Sequence, residues 1–70
     1  MISYQPLWDL LVSRKVSTYD LIHEHDISGN TIHRVKHGYP ITTKTIDKLC
    51  SILNCTIVDI VEYIEDKKDD

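Results

Sequence analysis

The sequence predicts an all-α fold of five short helices around one core. Apolar residues recur along most of the chain at the three- and four-residue spacing of amphipathic helices. Residues that favour helix ends mark the start and finish of each segment. Glycine and proline occur only twice each in 70 residues, which favours helices joined by short loops over strands joined by turns. The length and the apolar fraction of 41% suit a single domain with one core.

The first helix is predicted to begin at Pro6, because proline suits the first turn of a helix. The cations Arg14 and Lys15 end it, at the negative end of the helix dipole. We expect Trp8 to lie in the core, because it belongs to the apolar stripe of this helix. That stripe comprises Leu7, Trp8, Leu11 and Val12.

The second helix is predicted to begin after Ser17, with Asp20 three residues later as in a capping box. Its apolar residues are Leu21 and Ile22, and it stops near residues 25–26. A gap of about three residues, 26–28, then leads to the next helix. So short a connection forces a steep crossing of the two helices rather than an antiparallel hairpin.

The third helix is predicted to be capped by Ser28 and to end at Gly38, a residue type common just beyond helix ends. Its apolar residues, Ile32 and Val35, occupy one side only. Such a helix can pack one face on the core and offer the other to a major groove of DNA. The alternative is a basic surface helix without a partner. The other positions are small, amide, imidazole or cationic: Gly29, Asn30, His33, Arg34, Lys36 and His37.

The fourth helix is predicted to be capped by Thr42 or Thr43 and to end at Asn54, which tolerates a left-handed backbone. We expect Cys50 to lie in the core, because it shares the apolar spacing of this helix. The apolar residues of the helix are Ile46, Leu49, Cys50 and Leu53.

A fifth helix is predicted because Thr56 and Asp59 repeat the capping pattern. Its apolar residues exceed what one short terminal helix needs, so they either pack in the core or form a homodimer seam. These residues are Ile57, Val58, Ile60, Val61, Tyr63 and Ile64. The domain is expected to span residues 1–64, with residues 65–70 as an acidic flexible tail.

The net charge of −3 is unevenly distributed. Residues 59–70 contain six acids and two lysines, whereas residues 27–46 contain Arg34, Lys36 and Lys44 without any acid. A positive stretch inside an acidic protein is what local recognition of a polyanion needs, although a solvated face with a soluble tail explains the same pattern.

The run from Val16 to Gly38, VSTYDLIHEHDISGNTIHRVKHG, resembles the helix-turn-helix of the Cro and phage-repressor family. That family has the lambda repressor-like DNA-binding fold. The resemblance extends over about residues 4–64, with 45–55 similar to the family's fourth helix and 59–64 to its fifth. It implies a sequence-specific regulator of transcription, with repression as the favoured action, that binds double-stranded DNA as a twofold homodimer. The matching residues are Leu21, Ile27, Ser28, Thr31, Ile32, Val35 and Gly38.

The resemblance also implies two sets of site residues. Asn30 can pair bidentately with adenine and Arg34 with guanine, whereas Gly29 only allows close approach of the main chain. The base-reading positions fall on Gly29, Asn30, His33 and Arg34. The phosphate-contact positions fall on Ser17 and Thr18 at the start of the second helix. Further phosphate candidates are Ser28, Lys36, His37 and Lys44.

Three residues depart from the family pattern. Asp26 stands where the family usually has glycine in a left-handed turn, although aspartate is among the better tolerated substitutes. Ile22 replaces a frequent alanine, and Thr18 replaces a glutamine at the phosphate-binding helix start. These departures predict an adjusted docking geometry on DNA.

Other classes of function have less support in the sequence. A protein-interaction module of the same fold, antitoxin-like or an inhibitor, is the main alternative, and the net charge and Gly29 favour it. His33 and His37 lie four residues apart, but zinc needs two further ligands and both cysteines are assigned to apolar surroundings. We therefore expect no metal site. We also expect no cofactor, no small-molecule ligand and no enzymatic activity. With neither a signal segment nor a membrane segment in the sequence, we expect a cytoplasmic protein.

Overall fold

The structure is a computed structural model that describes residues 1–65. Its elements are β1 (Ile2–Ser3), α1 (Gln5–Arg14), α2 (Thr18–His23), α3 (Gly29–Lys36), α4 (Thr43–Leu53), a 3₁₀ turn (Ile57–Asp59) and β2 (Glu62–Tyr63). The two strands pair antiparallel, with Ile2 opposite Tyr63. Within residues 1–65, none of the helices has the length and apolar content needed to cross a membrane. Apart from Glu65, the predicted tail lies outside the described residues.

The predicted starts of the four helices are confirmed. Helix α1 begins with Pro6 in its first turn and has no side-chain cap, whereas α2, α3 and α4 are each fixed by a local side-chain cap. The hydroxyls of Ser17, Ser28 and Thr42 each accept the main-chain N–H three residues later, at 3.0, 3.1 and 3.2 Å. These bonds satisfy donors that have no partner within the helix. The predicted left-handed ends are also confirmed, with φ of 71° at Gly38 and 50° at Asn54.

One core joins all four helices to the C-terminal segment. Leu21 and Ile60 are both completely inaccessible to solvent. Trp8 and Cys50, predicted as core residues, are only partly buried and pack against the edge of the core. Within residues 1–65 the buried apolar side chains are Tyr4, Leu7, Leu11, Leu21, Ile27, Ile32, Val35, Leu49, Leu53 and Ile60.

The prediction of a fifth helix is wrong. The Thr56–Asp59 capping box forms, but the helix stops after the three residues of the 3₁₀ turn. The chain then extends into β2, which pairs with β1 at the opposite end of the sequence. This segment is rich in β-branched and aromatic residues, which favour strands, and short apolar runs suit either structure. The fold is therefore mostly helical, with four α-helices and a small sheet.

Candidate nucleic-acid interface

The turn between α2 and α3 is longer than predicted. Helix α2 ends at His23 rather than near residues 25–26, so five residues separate the two helices. The chain leaves the helix early because Asp26 is left-handed, with φ of 59°, and the Ile27 N–H donates to the Leu21 carbonyl at 3.0 Å. The buried Ile27 side chain then anchors the turn in the core.

A lysine on α4 supports this turn from outside. The Lys48 ammonium donates to the Asp26 carbonyl at 2.7 Å, across 22 residues of sequence. A charged donor makes this a stronger hydrogen bond than a neutral one. Asp26 therefore replaces the family's usual glycine in a left-handed conformation, and its main chain is tied to α4. The sequence analysis did not identify Lys48, because nothing local links it to the turn.

Helix α3 brings the four predicted base-reading residues onto one side. Ile32 and Val35 are buried, whereas Gly29, Asn30 and His33 are exposed and Arg34 is partly exposed. At about 100° per residue, Asn30, His33 and Arg34 lie opposite the buried pair, and Gly29 lies at the edge of the exposed side. His37 shares their side, and Lys36, although exposed, lies at its edge.

Arg34 is held by the loop that follows α3. Its Nε donates to the Pro40 carbonyl at 2.9 Å, and its guanidinium carbon lies 5.9 Å from the centre of the Tyr39 ring. Only one donor group of the guanidinium is used by the Pro40 bond. The arrangement restricts the side chain before any partner binds, which lowers the entropy lost on binding.

Tyr39 is the centre of an aromatic and imidazole cluster that the sequence analysis missed. The His37 ring stacks on Tyr39 with 5.7 Å between ring centres, and the His33 and His37 rings are 4.3 Å apart. The buried Tyr4 hydroxyl donates to the Tyr39 carbonyl at 2.7 Å. The available signal was an aromatic residue between the helix-ending Gly38 and a proline.

The predicted phosphate contacts at helix starts are already engaged within the protein. The Ser28 hydroxyl caps α3, and the Ser17 hydroxyl caps α2. The main-chain N–H of Ser17 donates to the Asp20 carboxylate at 3.0 Å. This main-chain bond, followed by the bond with the Ser17 side chain, holds the pKa of Asp20 below its usual value. A carboxylate thus occupies the start of α2, where the helix dipole favours an anion.

The remaining predicted phosphate contacts comprise three exposed basic side chains and one threonine. Lys36, His37 and Lys44 are exposed, and Lys44 stands in the first turn of α4. Thr18, at the start of α2, is partly buried. The basic residues among the predicted phosphate contacts therefore lie on α3 and at the start of α4 rather than on α2.

Two helices joined by a fixed turn, with the second presenting a polar face, define a helix-turn-helix protein of the DNA-binding class. A sequence model described as the Cro/C1-type helix-turn-helix DNA-binding domain matches residues 6–66, and the chain belongs to this family. The fold is similar to the crystal structure of the transcriptional regulator VanUg, with a TM-score of 0.84 and 26% sequence identity, covering 93% of this chain and 87% of that one. No curated protein matches the chain in sequence. These findings support a DNA-binding regulator rather than an enzyme.

Proposed function

We propose that the protein is a sequence-specific repressor that reads the major groove of duplex DNA with α3. The observation that carries this proposal is the division of α3 into a buried apolar side and an exposed polar side. An α-helix fits the major groove, where each base pair presents a distinct pattern of donors and acceptors. Occupying a site is sufficient to block other proteins from it, so repression needs only binding. A regulator of this kind acts in the cytoplasm.

Asn30 and Arg34 are the residues that we assign to base recognition. Asn30 is exposed in the first turn of α3 and offers one donor and one acceptor group, as adenine requires. Arg34 retains donors beyond the Nε that is bound to Pro40, and these suit guanine. His33 lies between them on the same side, and Gly29 allows the main chain to approach the bases.

Lys44, Lys36 and His37 supply phosphate contacts in this proposal, because all three are exposed. Lys36 and His37 lie at the end of α3, and Lys44 lies in the first turn of α4. Ser28, Ser17 and Thr18 add contacts at helix starts. Of these, Ser17 and Thr18 at the start of α2 have the weakest support, because the negatively charged Asp20 carboxylate lies beside them and would repel a phosphate. Phosphate contacts fix the position of the protein without carrying sequence information.

A homodimer completes the proposal. Ile60 belongs to the core, but other apolar residues predicted for a dimer seam remain exposed, with Val58 at 71% and Tyr63 at 70%. Monomeric proteins rarely expose large contiguous apolar surfaces. The proposed dimer surface consists of Ile57, Val58, Tyr63 and Ile64. A second copy on this surface would place two recognition helices on half-sites about 34–36 Å apart.

DNA binding is tested by first selecting a preferred site from a random duplex library and then measuring affinity by fluorescence anisotropy. Asn30→Ala and Arg34→Ala should each weaken the selected site by about 1–3 kcal/mol and leave random DNA nearly unchanged. Lys44→Ala should weaken both DNAs about equally and lower the salt dependence by about one unit. Ser51→Ala, an exposed change near the other end of α4, is the control.

Two outcomes would contradict the DNA-binding proposal. One is a library from which no sequence is enriched, which would favour the protein-interaction module instead. The other is a selected site on which Asn30→Ala and Arg34→Ala bind as tightly as the parent protein.

The dimer has its own test by sedimentation, free and on the selected DNA. Val58→Gln should shift the protein toward monomer, because it places an amide in the proposed apolar seam. Val12→Gln is the matched control, since Val12 is 79% exposed on α1 and is not one of the four residues assigned to that surface. A parent protein that stays monomeric in both states is incompatible with the proposed assembly.

A further inference from the structure

The two cysteines lie together at the C-terminal end of α4. Cys50 belongs to the last turn of the helix, and Cys55 follows Asn54, whose φ is 50°. The Cys55 N–H donates to the Cys50 carbonyl at 3.0 Å. A bond of this type is characteristic of helices that end at a left-handed residue, and a contact between the side chains at its two ends frequently accompanies it.

This main-chain bond limits the distance between the two residues. Standard bond lengths put a carbonyl oxygen about 2.4 Å from its own Cα and an amide nitrogen about 1.5 Å from its own. With the 3.0 Å bond between them, the two Cα atoms are at most about 6.9 Å apart. Cysteines in disulfides have Cα atoms about 4.4–6.8 Å apart, and separations above about 7 Å prevent the bond.

Both cysteine side chains also lie against the same core. Both are partly buried. Burial raises the pKa of the Cys55 thiol above its usual value, and the neighbouring Cys50 thiol raises it further. Disulfides are easily reduced when the protein stabilises the reduced thiolate, and the environment of Cys55 does the opposite.

We propose that Cys50 and Cys55 form an oxidation site, a dithiol that closes to an intramolecular disulfide by exchange with small disulfides such as oxidised glutathione. One cysteine thiolate attacks a sulfur of the oxidised glutathione and displaces one glutathione thiolate. The other cysteine then attacks the protein sulfur of the mixed disulfide and displaces the second. The protein gives up two electrons and two protons, and two molecules of reduced glutathione form.

The proposed disulfide joins α4 to the segment that leads into the 3₁₀ turn, Ile57–Asp59. In a reducing compartment the pair stays as thiols, so closure would respond to a rise in disulfide oxidants. The proposal does not depend on DNA binding, since it concerns the end of α4 rather than the exposed side of α3.

The test equilibrates the full chain, without oxygen, in mixtures of reduced and oxidised glutathione. A mildly alkaline buffer is used, because the raised pKa of Cys55 slows exchange at neutral pH. Acid quenching, alkylation and intact-mass spectrometry then count the free thiols. The expected product is a monomer that has lost two hydrogens and accepts no alkylating reagent. It should persist in a several-fold excess of reduced over oxidised glutathione.

Cys50→Ser and Cys55→Ser identify the bond. Each variant should accumulate only its mixed disulfide with glutathione, and circular dichroism checks that it remains folded. If a variant does not fold, the mass and the free-thiol count of the parent protein are sufficient to test the proposal. A parent that ends as mixed disulfides, as disulfide-linked dimers, or as unmodified dithiol under fully oxidising conditions overturns the proposal.

Discussion

Glycine-to-alanine substitution should have opposite effects at the two glycines of this protein. Gly29 stands in the first turn of α3 with a helical backbone, whereas Gly38 follows the helix with φ of 71°. Apart from adjacent residues and the local helix backbone, a Cβ built at either position meets no atom within 4 Å. Steric contact is therefore the same for both, and the difference comes from the backbone conformation.

The magnitudes follow from this difference. Alanine restricts the unfolded chain more than glycine does, so Gly29→Ala should stabilise the protein by about 0.5 kcal/mol. Gly38→Ala gains the same amount but adds about 1–2 kcal/mol for a left-handed alanine, a net loss of about 1 kcal/mol. For a domain of this size, the melting temperature should rise about 2–4 °C in the first variant and fall about 4–8 °C in the second.

Urea unfolding followed by far-ultraviolet circular dichroism measures both effects, and unchanged m-values show that the two-state analysis holds. Gly29→Ala should nevertheless bind its selected DNA site about fivefold more weakly, equivalent to about 1 kcal/mol, if the main chain approaches the bases there. The reasoning is refuted if both substitutions shift stability in the same direction. If Gly29→Ala raises the stability but leaves the DNA affinity unchanged, the stability argument holds and Gly29 is not part of the DNA interface.

Three further predictions follow from the core, a helix cap and the exposed side of α3. Ile60→Val should lower the free energy of unfolding, measured by urea denaturation, by about 1 kcal/mol, because Ile60 is fully buried. An unchanged urea midpoint would contradict the assignment of Ile60 to the core. The bonds with Ser17 lower the pKa of Asp20. This carboxylate therefore stabilises the fold fully at pH values above the usual aspartate pKa, and the stabilisation is lost as the pH falls through the lowered pKa. Asp20→Asn should therefore be less stable than the parent at pH 7, with the difference disappearing in acid; a difference independent of pH would contradict this. Phosphates favour protonated imidazole, so DNA affinity at fixed ionic strength should rise from about pH 8 to pH 6, and replacing both His33 and His37 with glutamine should flatten that rise; identical profiles would place both rings away from the DNA.

Most of the helical framework could be predicted because its signals are local. Ser17, Ser28 and Thr42 each bond to a residue three positions away, so the starts of α2, α3 and α4 depend on a few neighbouring residues. The small sheet could not be predicted in the same way, because Ile2 pairs with Tyr63 across nearly the whole chain. The apolar run that forms β2 also has an acceptable helical spacing, and only the distant partner decides between the two structures.

The candidate site likewise combines features that local sequence predicts with features that depend on distant contacts. The exposed side of α3 follows from the spacing of Ile32 and Val35 alone, so its residues could be chosen from the sequence. The groups that hold this side in place could not be predicted from the sequence, because their contacts depend on how the loops fold against the helices. Lys48 reaches Asp26 from α4, and Arg34 is held by the Pro40 carbonyl.

The N-terminal residues connect the recognition helix to the proposed dimer surface. The buried Tyr4 side chain binds the Tyr39 carbonyl, one residue after the glycine that ends α3. Directly before Tyr4, β1 pairs with β2, which carries the exposed Tyr63. In a twofold dimer, the distance between two recognition helices depends on how each is oriented relative to the shared surface. Residues 2–4 contact both regions. In the proposed dimer they would therefore help to set the spacing of the two half-sites, although they lie outside the helix-turn-helix.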